Sequence, residues 1–396
     1  MLDSSEIPGV VSRPLAGDER LHALDILRGL ALFGMILVHF HQKTRREVSG
    51  LEDLIGWAVY IFVEQKAWGT FAFLFGAGFA ILLRRLERRG APVVSTYLRR
   101  IGALAMFGVV ADVCFGFHIL FSYACWGLVL LLIRAWSTRA LLLTAAIAAS
   151  ARPIVAELAL LTGVASTPPA NTELSRAVQA AAQQSDYLTL LDARWALFIG
   201  SFPHTWRGFL PDINLALFIL GLLAVRHGVL DAPVAERRRI TRWMAFGALA
   251  WGGSWLVLGQ LSALGVEAHW PVVYGFGLVQ DQWLCLTYIG AIVLLLSHRP
   301  VWVNRLALFG HAGRMALTNY MVQAAVLDAL SSGYGWGLRL RPLAYLPAAI
   351  VLFGVEASLS RAWLLRFRIG PLEWLWRTIT YAAPQSLRRT RTSIAG

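Results

Sequence analysis

The chain has 396 residues, 57% of them hydrophobic and 15% charged, and it carries a formal net charge of +13. This composition excludes a set of ordinary soluble domains: the apolar residues fall in blocks of roughly 17 to 24, enough at ~1.5 Å per residue to cross a ~30 Å hydrocarbon core. The positive charge does not read as a nucleic-acid footprint, because the basic residues lie in short loops between apolar blocks and no aromatic-studded basic domain is present.

In chain order, residues 1–22 form an N-terminal segment. The first apolar block is interrupted by Asp25 and Arg28 and lacks a small-residue cleavage signal, so it reads as a retained span. Spans are expected at 23–40, 67–83, 101–117, 119–134 and 140–163, giving an N-terminal membrane region over 23–163. A polar stretch at 164–207 follows, read as an outer loop that is either a short capping helix or a mobile connection. Further spans at 208–225, 243–264, 274–297, 314–330 and 343–360 make a C-terminal membrane region over 208–368, ahead of a basic tail at 369–396. The shorter segments 51–63 and 301–309 read as interfacial or re-entrant helices.

Alternating the loops places Arg84, Arg85, Arg88 and Arg89 on the same face as Arg237, Arg238, Arg239 and the basic tail, which the positive-inside rule assigns to the cytoplasm. The loop carrying Lys43, Arg45 and Arg46 is the exception, since it falls outside. The expected fold class is an all-α integral membrane protein of about ten transmembrane helices, both termini cytoplasmic, in the cell inner or plasma membrane. Cys114, Cys125 and Cys285 lie within apolar blocks and imply no disulfide framework.

Ionisable groups at membrane depth are costly and are therefore site candidates. Asp25 and Arg28, three apart, share a helix face and can pair. His39 follows Arg28 by eleven residues, roughly 16 Å along the helix, so the two groups can hold opposite ends of one extended substrate but cannot touch. The plain alternative is that Arg28 snorkels and His39 sits idle among headgroups. His41 lies about 200° round the helix from His39, so no shared metal is assigned.

Asp112 and Asp281 are intramembrane carboxylates able to orient a histidine, pair with an arginine or titrate, and Gln280 and Gln282 mark a polar patch around Asp281. In the ninth span, Arg314 and Thr318 are four apart, as are Asn319 and Gln323. That stripe suits helix–helix hydrogen bonding or a site lining equally. Glu64, Lys66, Glu356 and Arg361 read as boundary residues.

Four segments resemble the YeiB-like bacterial inner-membrane family, which contains domain of unknown function 418. They are Leu24–Gly34, Leu74–Phe79, Gly313–Tyr320 and Phe367–Arg377, spread over nearly the whole chain. The first span is also similar to that of membrane acyltransferases, in which a basic residue is followed after ten residues by a histidine, as Arg28 is by His39.

The resemblance implies acyl transfer from an acyl thioester such as acyl-CoA to a hydroxyl or amine acceptor, a small molecule or a glycan. His39 is then the base, with Asp281 as a second candidate catalytic group. Arg28 and Arg314 would bind donor phosphates, and Asn319 and Gln323 would donate to the carbonyl oxygen. No tightly bound cofactor and no metal are expected, and the partners are membrane lipids and substrates. A transporter of a small amphipathic molecule, using Asp112, Asp281 and Arg314, is the alternative, and a membrane scaffold without turnover is a third.

Overall fold

The computed structural model describes residues 17–44, 50–162, 171–201, 211–263 and 270–388. The expectations for residues 1–16, for Arg45 and Arg46, and for the end of the tail lie outside the described residues. Among those described the chain is helical, and its one extended pairing is a bridge between Phe367 and Arg388. Five helical stretches are long and apolar enough to cross a membrane: His22–Lys43, Leu51–Arg88, Thr138–Val155, Gly275–His298 and Pro342–Arg366. Two shorter apolar helices, Ile119–Ile133 and Ile213–Arg226, accompany them. The chain is thus a helical membrane protein.

The first helix, α1 (Gly17–Thr44), defines two sides of the molecule, a near side where it begins and a far side where it ends. The segment expected to lie at the interface, α2 (Leu51–Val59), runs without a break through a π-helical turn at Tyr60–Glu64 into α3 (Gln65–Arg88). Its exposed Leu51, Leu54 and Trp57 still give it one apolar outer face. The π turn inserts an extra residue into the helical repeat, which rotates the following side chains. Glu64 and Lys66 are both buried there, so the reading of these two as boundary residues is corrected.

Next come α4 (Val93–Phe115), α5 (Ile119–Ile133) and α6 (Thr138–Leu161). The polar stretch after them contains two helices, α7 (Asn171–Ala181) and α8 (Tyr187–Ser201). The second half of the chain comprises α9 (Ile213–Arg226), α10 (Arg237–Ala263), α11 (Trp270–His298), α12 (Val301–Arg305), α13 (Ala307–Arg314), α14 (Ala316–Ser331), α15 (Pro342–Arg366) and α16 (Pro371–Tyr381).

Several helix pairs approach to backbone contact, and glycine is what lets them; two of these pairs are closed at two points each. Any side chain at Gly29 would strike the Phe309 carbonyl, and one at Gly313 the Asp25 carbonyl, so α1 and α13 are clamped together at two points. Gly76 and Gly221 lock α3 to α9 in the same way, against the backbones of Phe218 and Phe73. Lipid tails are as apolar as leucine, so close packing of small residues replaces the hydrophobic drive between helices.

The expected ninth span departs from its reading in one respect. Helix geometry breaks at Met315 (φ −113°, ψ 35°), dividing the stretch into α13 and α14. Arg314 therefore ends one helix while Thr318 sits in the first turn of the next, and the continuous stripe from Arg314 to Gln323 does not exist.

Candidate functional site

The break at Met315 opens onto a cavity of about 950 Å³. Its lining draws on all four sequence segments singled out above: Asp25 and Arg28 from α1; Leu74, Phe75, Gly78 and Phe79 from α3; Arg314, Leu317 and Tyr320 around the helix break; Arg368, Glu373 and Trp376 from the C-terminal end. Exposed His22, Arg368 and Arg377 mark its mouth, on the near side, and buried Met35, Tyr123 and Tyr320 its floor.

Charge and depth are separated. Six arginines line the cavity, at 28, 85, 100, 314, 368 and 377, against two carboxylates, Asp25 and Glu373. Gly78 on α3 lies level with Arg28, since a Cβ there would come 3.9 Å from Nη2 of that arginine. Below that level α1 runs seven residues to Met35 and α3 seven to Phe71, so both helices give an apolar shaft ~10 Å deep beyond the last arginine.

One wall of the shaft is held rigid by aromatic packing. Tyr123 donates to the Trp68 carbonyl at 3.1 Å, and its ring meets Phe218 and Phe75 with centroids 5.1 and 5.7 Å apart.

The basic mouth is tied down by its neighbours. Arg28 Nη1 donates to Asp25 Oδ1 at 2.7 Å, as the three-residue spacing predicts. Arg314 Nη2 donates to the Arg368 carbonyl at 3.1 Å. The Arg100 guanidinium lies 3.7 Å from the Trp376 ring centroid, and the same indole N–H donates to the Arg100 carbonyl at 2.9 Å.

Glu373 holds the start of α14. Its Oε1 accepts from the Leu317 and Thr318 amides at 2.6 and 3.0 Å, and its Oε2 from the Thr318 hydroxyl at 2.6 Å. These amides are donors that the helix itself leaves unpaired, and a carboxylate at a helix N-terminus also meets the positive end of its dipole. Burial nevertheless pushes the Glu373 carboxyl above its ordinary range, with the bonds to Thr318 and Leu317 opposing.

The expected site residues separate into two groups. Arg28 and Arg314 line one cavity. His39 does not line it; it lies one turn beyond Met35, buried, with its ring against Phe117 at 4.2 Å and its Nδ1 without a hydrogen-bond partner. His41 faces elsewhere, toward the Tyr345 hydroxyl at 3.2 Å.

Asp281 pairs with the buried ammonium of Lys66, away from the cavity lining, beside Gln282 and Cys285. Asn319 and Gln323 are also committed elsewhere. Asn319 Nδ2 donates to the Ala312 carbonyl and the Ser360 hydroxyl at 3.0 and 2.9 Å, and Gln323 Nε2 donates to Glu356 at 2.7 Å. The reading of Asn319 and Gln323 as donors to a carbonyl oxygen is corrected, because their N–H groups bind α14 to α13 and α15. Glu356, expected as a boundary residue, is the buried acceptor of one of those bonds.

Sequence reasoning missed a second charge cluster, on the far side. Asp328 is fully buried and accepts from Arg194 twice, at 2.6 and 2.8 Å, from Lys43 at 3.1 Å, and from Ser332 and Tyr334 at 2.9 and 3.0 Å. Arg194 comes from the stretch read as a loop, so no spacing in the sequence joins it to its partner. The cavity arginines at 85, 100, 368 and 377 were legible as basic residues of one face, but not as one ring.

Comparison with known proteins follows the same division of the chain. Residues 224–383 match the family "Protein of unknown function (DUF418)", and residues 20–205 match "Heparan-alpha-glucosaminide N-acetyltransferase, catalytic". The cavity is lined from both matched segments. Uncharacterised protein YxaH of Bacillus subtilis (strain 168) is 28% identical over 438 residues, covering 95% of this chain and 98% of its own. An uncharacterised 39.9 kDa protein from the amylase 3′ region of Bacillus acidopullulyticus is 27% identical, covering 93% of this chain and 96% of its own.

Uncharacterised protein YeiB of Escherichia coli (strain K12) is 39% identical over 71 residues, 18% of each chain. No solved structure matches the chain. These similarities bear out the resemblance to YeiB-like proteins: a segment matching DUF418 follows an N-terminal half similar to an acetyltransferase catalytic region.

Proposed function

We propose that the protein is an acyltransferase of the bacterial inner membrane, crossing it about ten times with both termini in the cytoplasm. It moves an acyl group from an acyl thioester, acyl-CoA being the expected donor, to a hydroxyl or amine on a small molecule or glycan. The observation that carries this reading is the cavity itself: six arginines around an opening on the side assigned to the cytoplasm, then an apolar shaft that ends at Met35, one turn short of a buried histidine with an unpartnered ring nitrogen.

A donor of this class has phosphates at one end and a thioester at the end of a long arm. Arg28, Arg314 and the other arginines suit the phosphates, since guanidinium groups form paired, charge-assisted bonds to phosphate oxygens. The shaft excludes water and directs the arm toward Met35 and Tyr320. His39 takes the proton from the acceptor as its oxygen or nitrogen attacks the thioester carbon; the carbon–sulfur bond breaks, and the departing sulfur takes a proton to leave as thiol. No covalent enzyme intermediate is required. Asp281 holds the Lys66 ammonium within the membrane in this reading, and Asn319 and Gln323 hold the wall behind Tyr320.

The test is release of free CoA from acetyl-CoA by purified protein supplied with a membrane-extract acceptor pool, compared with His39→Ala of equal thermal stability. Release that falls at least about a hundredfold in the variant is the expected result, in line with the loss of a general base. Equal release from both proteins, or none from the folded wild type across a series of acyl-CoA donors, would overturn the assignment.

A further inference from the structure

The cavity lining reaches Met35 but not His39, and the Phe117 ring packs against both the histidine and a residue of the cavity wall, Tyr320. Met35 lines the cavity floor and His39 follows it by four residues, so the histidine sits ~6 Å further along α1 on nearly the same face. Phe117 is wedged beside it. Its ring stands edge-on to His39 at 4.2 Å (interplanar angle 75°), and 6.5 Å from Tyr320, which lines the cavity.

Phe117 belongs to neither flanking helix. It sits on the turn between α4 and α5, where Gly116 takes a left-handed conformation (φ 74°) and the amides of Gly116 and Phe117 bond back to the carbonyls of Asp112 and Ala111. Those two bonds fix the backbone at the end of α4. The side chain is buried in the core that also holds Met35, Phe107 and Tyr320, with the Lys43 ammonium 5.0 Å from its ring centroid, and it makes no hydrogen bond of its own. Turning the ring breaks no hydrogen bond, and what it requires is a shift of the core side chains packed around it.

We propose that Phe117 is the partition between the donor cavity and His39: it turns aside to admit the thioester to the base, and at rest keeps water from the far side off the donor. The proposal rests on the acyl-transfer reading for its purpose, but not for its geometry, and the two are tested apart.

In protein whose three cysteines are replaced (Cys114→Ala, Cys125→Ala, Cys285→Ser), a single thiol is introduced by Met35→Cys or by His39→Cys. A small charged, membrane-impermeant thiol reagent is then applied from the side of the cavity mouth. With Phe117 in place the thiol from Met35→Cys reacts, and that from His39→Cys reacts on the order of a hundredfold more slowly, access being what limits a thiol at such a position. Adding Phe117→Ala brings the second rate to within about tenfold of the first, and Phe117→Leu, which keeps most of the packing, gives an intermediate rate and serves if the smaller residue does not fold.

Equal rates at the two positions with Phe117 present, or a thiol from His39→Cys that stays unreactive in folded Phe117→Ala and Phe117→Leu protein, would overturn the partition. With His39 intact, Phe117→Ala is expected to raise acceptor-independent hydrolysis of acetyl-CoA, water attacking the carbonyl to release acetate and the thiol, by about tenfold or more as solvent exclusion is lost. The expected labelling with no release of CoA from any variant would sink acyl transfer and leave the partition standing. His39-dependent release with labelling indifferent to Phe117 would do the reverse.

Discussion

The two charged regions of the molecule, one at each end of α1, are built on opposite principles. On the far side Arg194 and Lys43 converge on Asp328, which also accepts from Ser332 and Tyr334, so the carboxylate accepts five hydrogen bonds within the protein. On the near side six arginines line one cavity with two carboxylates, and one of those, Glu373, is committed to the start of α14. Charges that satisfy one another inside a membrane hold a fold together, whereas cations gathered without matching anions around an opening are arranged for an anion that comes and goes. The contrast is what supports placing the proposed donor site on the near side.

The comparison is broken most severely at Asp328. Asp328→Ala leaves two cations facing each other in the protein interior, and a loss of about 3–5 kcal/mol is expected, read as a large drop in thermal stability in detergent. Donor binding to whatever folded protein remains should be unchanged. On the near side the expectation reverses. Arg314→Ala should weaken CoA binding by at least about tenfold, the scale of a charge-assisted bond, with little change in thermal stability; titration calorimetry and a melting curve on the same sample separate the two. A melting temperature that collapses with Arg314 would mean that the near-side ring is structural as well.

Glu373 lies between these cases, since it belongs to the cavity wall yet acts by holding a helix end. Glu373→Ala strips partners from two amides and a hydroxyl, costing about 1–3 kcal/mol in stability. Glu373→Gln keeps an acceptor for the amides and a donor for Thr318, and should recover most of it.

The same residue sets a pH dependence. Burial raises its folded-state carboxyl above the ordinary value of 4.5, so its contribution to stability is fully present below that value and is lost as pH rises through the raised one. Chemical denaturation across mildly acidic pH should show this decline in the wild type and not in Glu373→Gln. The smallest effect concerns salt. Raising ionic strength should weaken CoA binding at the exposed mouth, where charges are screened beyond ~8 Å at physiological strength, and leave the Asp328 cluster untouched.

Much of this arrangement was legible as pattern before it was legible as place. The four segments Leu24–Gly34, Leu74–Phe79, Gly313–Tyr320 and Phe367–Arg377 stand out in the sequence, and all four line the cavity. The reasons they stand out are local. Gly29 and Gly313 permit backbone contact, Arg28 takes Asp25 one turn away, and Pro371 and Glu373 open a helix. What misled was the assumption of helical continuity. Asn319, Gln323 and Arg314 share a stripe only on an unbroken helix, and the break at Met315 sends the first two into interhelical bonds and the third to the cavity.

The sequence by itself determined the class of molecule and its axis: apolar blocks of spanning length, loops rich in arginine toward one face, and Arg28 and His39 separated along a single helix. Those properties depend on composition and on spacing within one segment, which a helix converts directly into distance. Only the tertiary structure decided which charges meet. Arg194 reaches Asp328 across 134 residues, Lys66 reaches Asp281 across 215, and Phe117 enters from a turn to set its ring against His39. A contact between distant segments depends on how helices cross and where they break, and neither is written in the periodicity of any one of them.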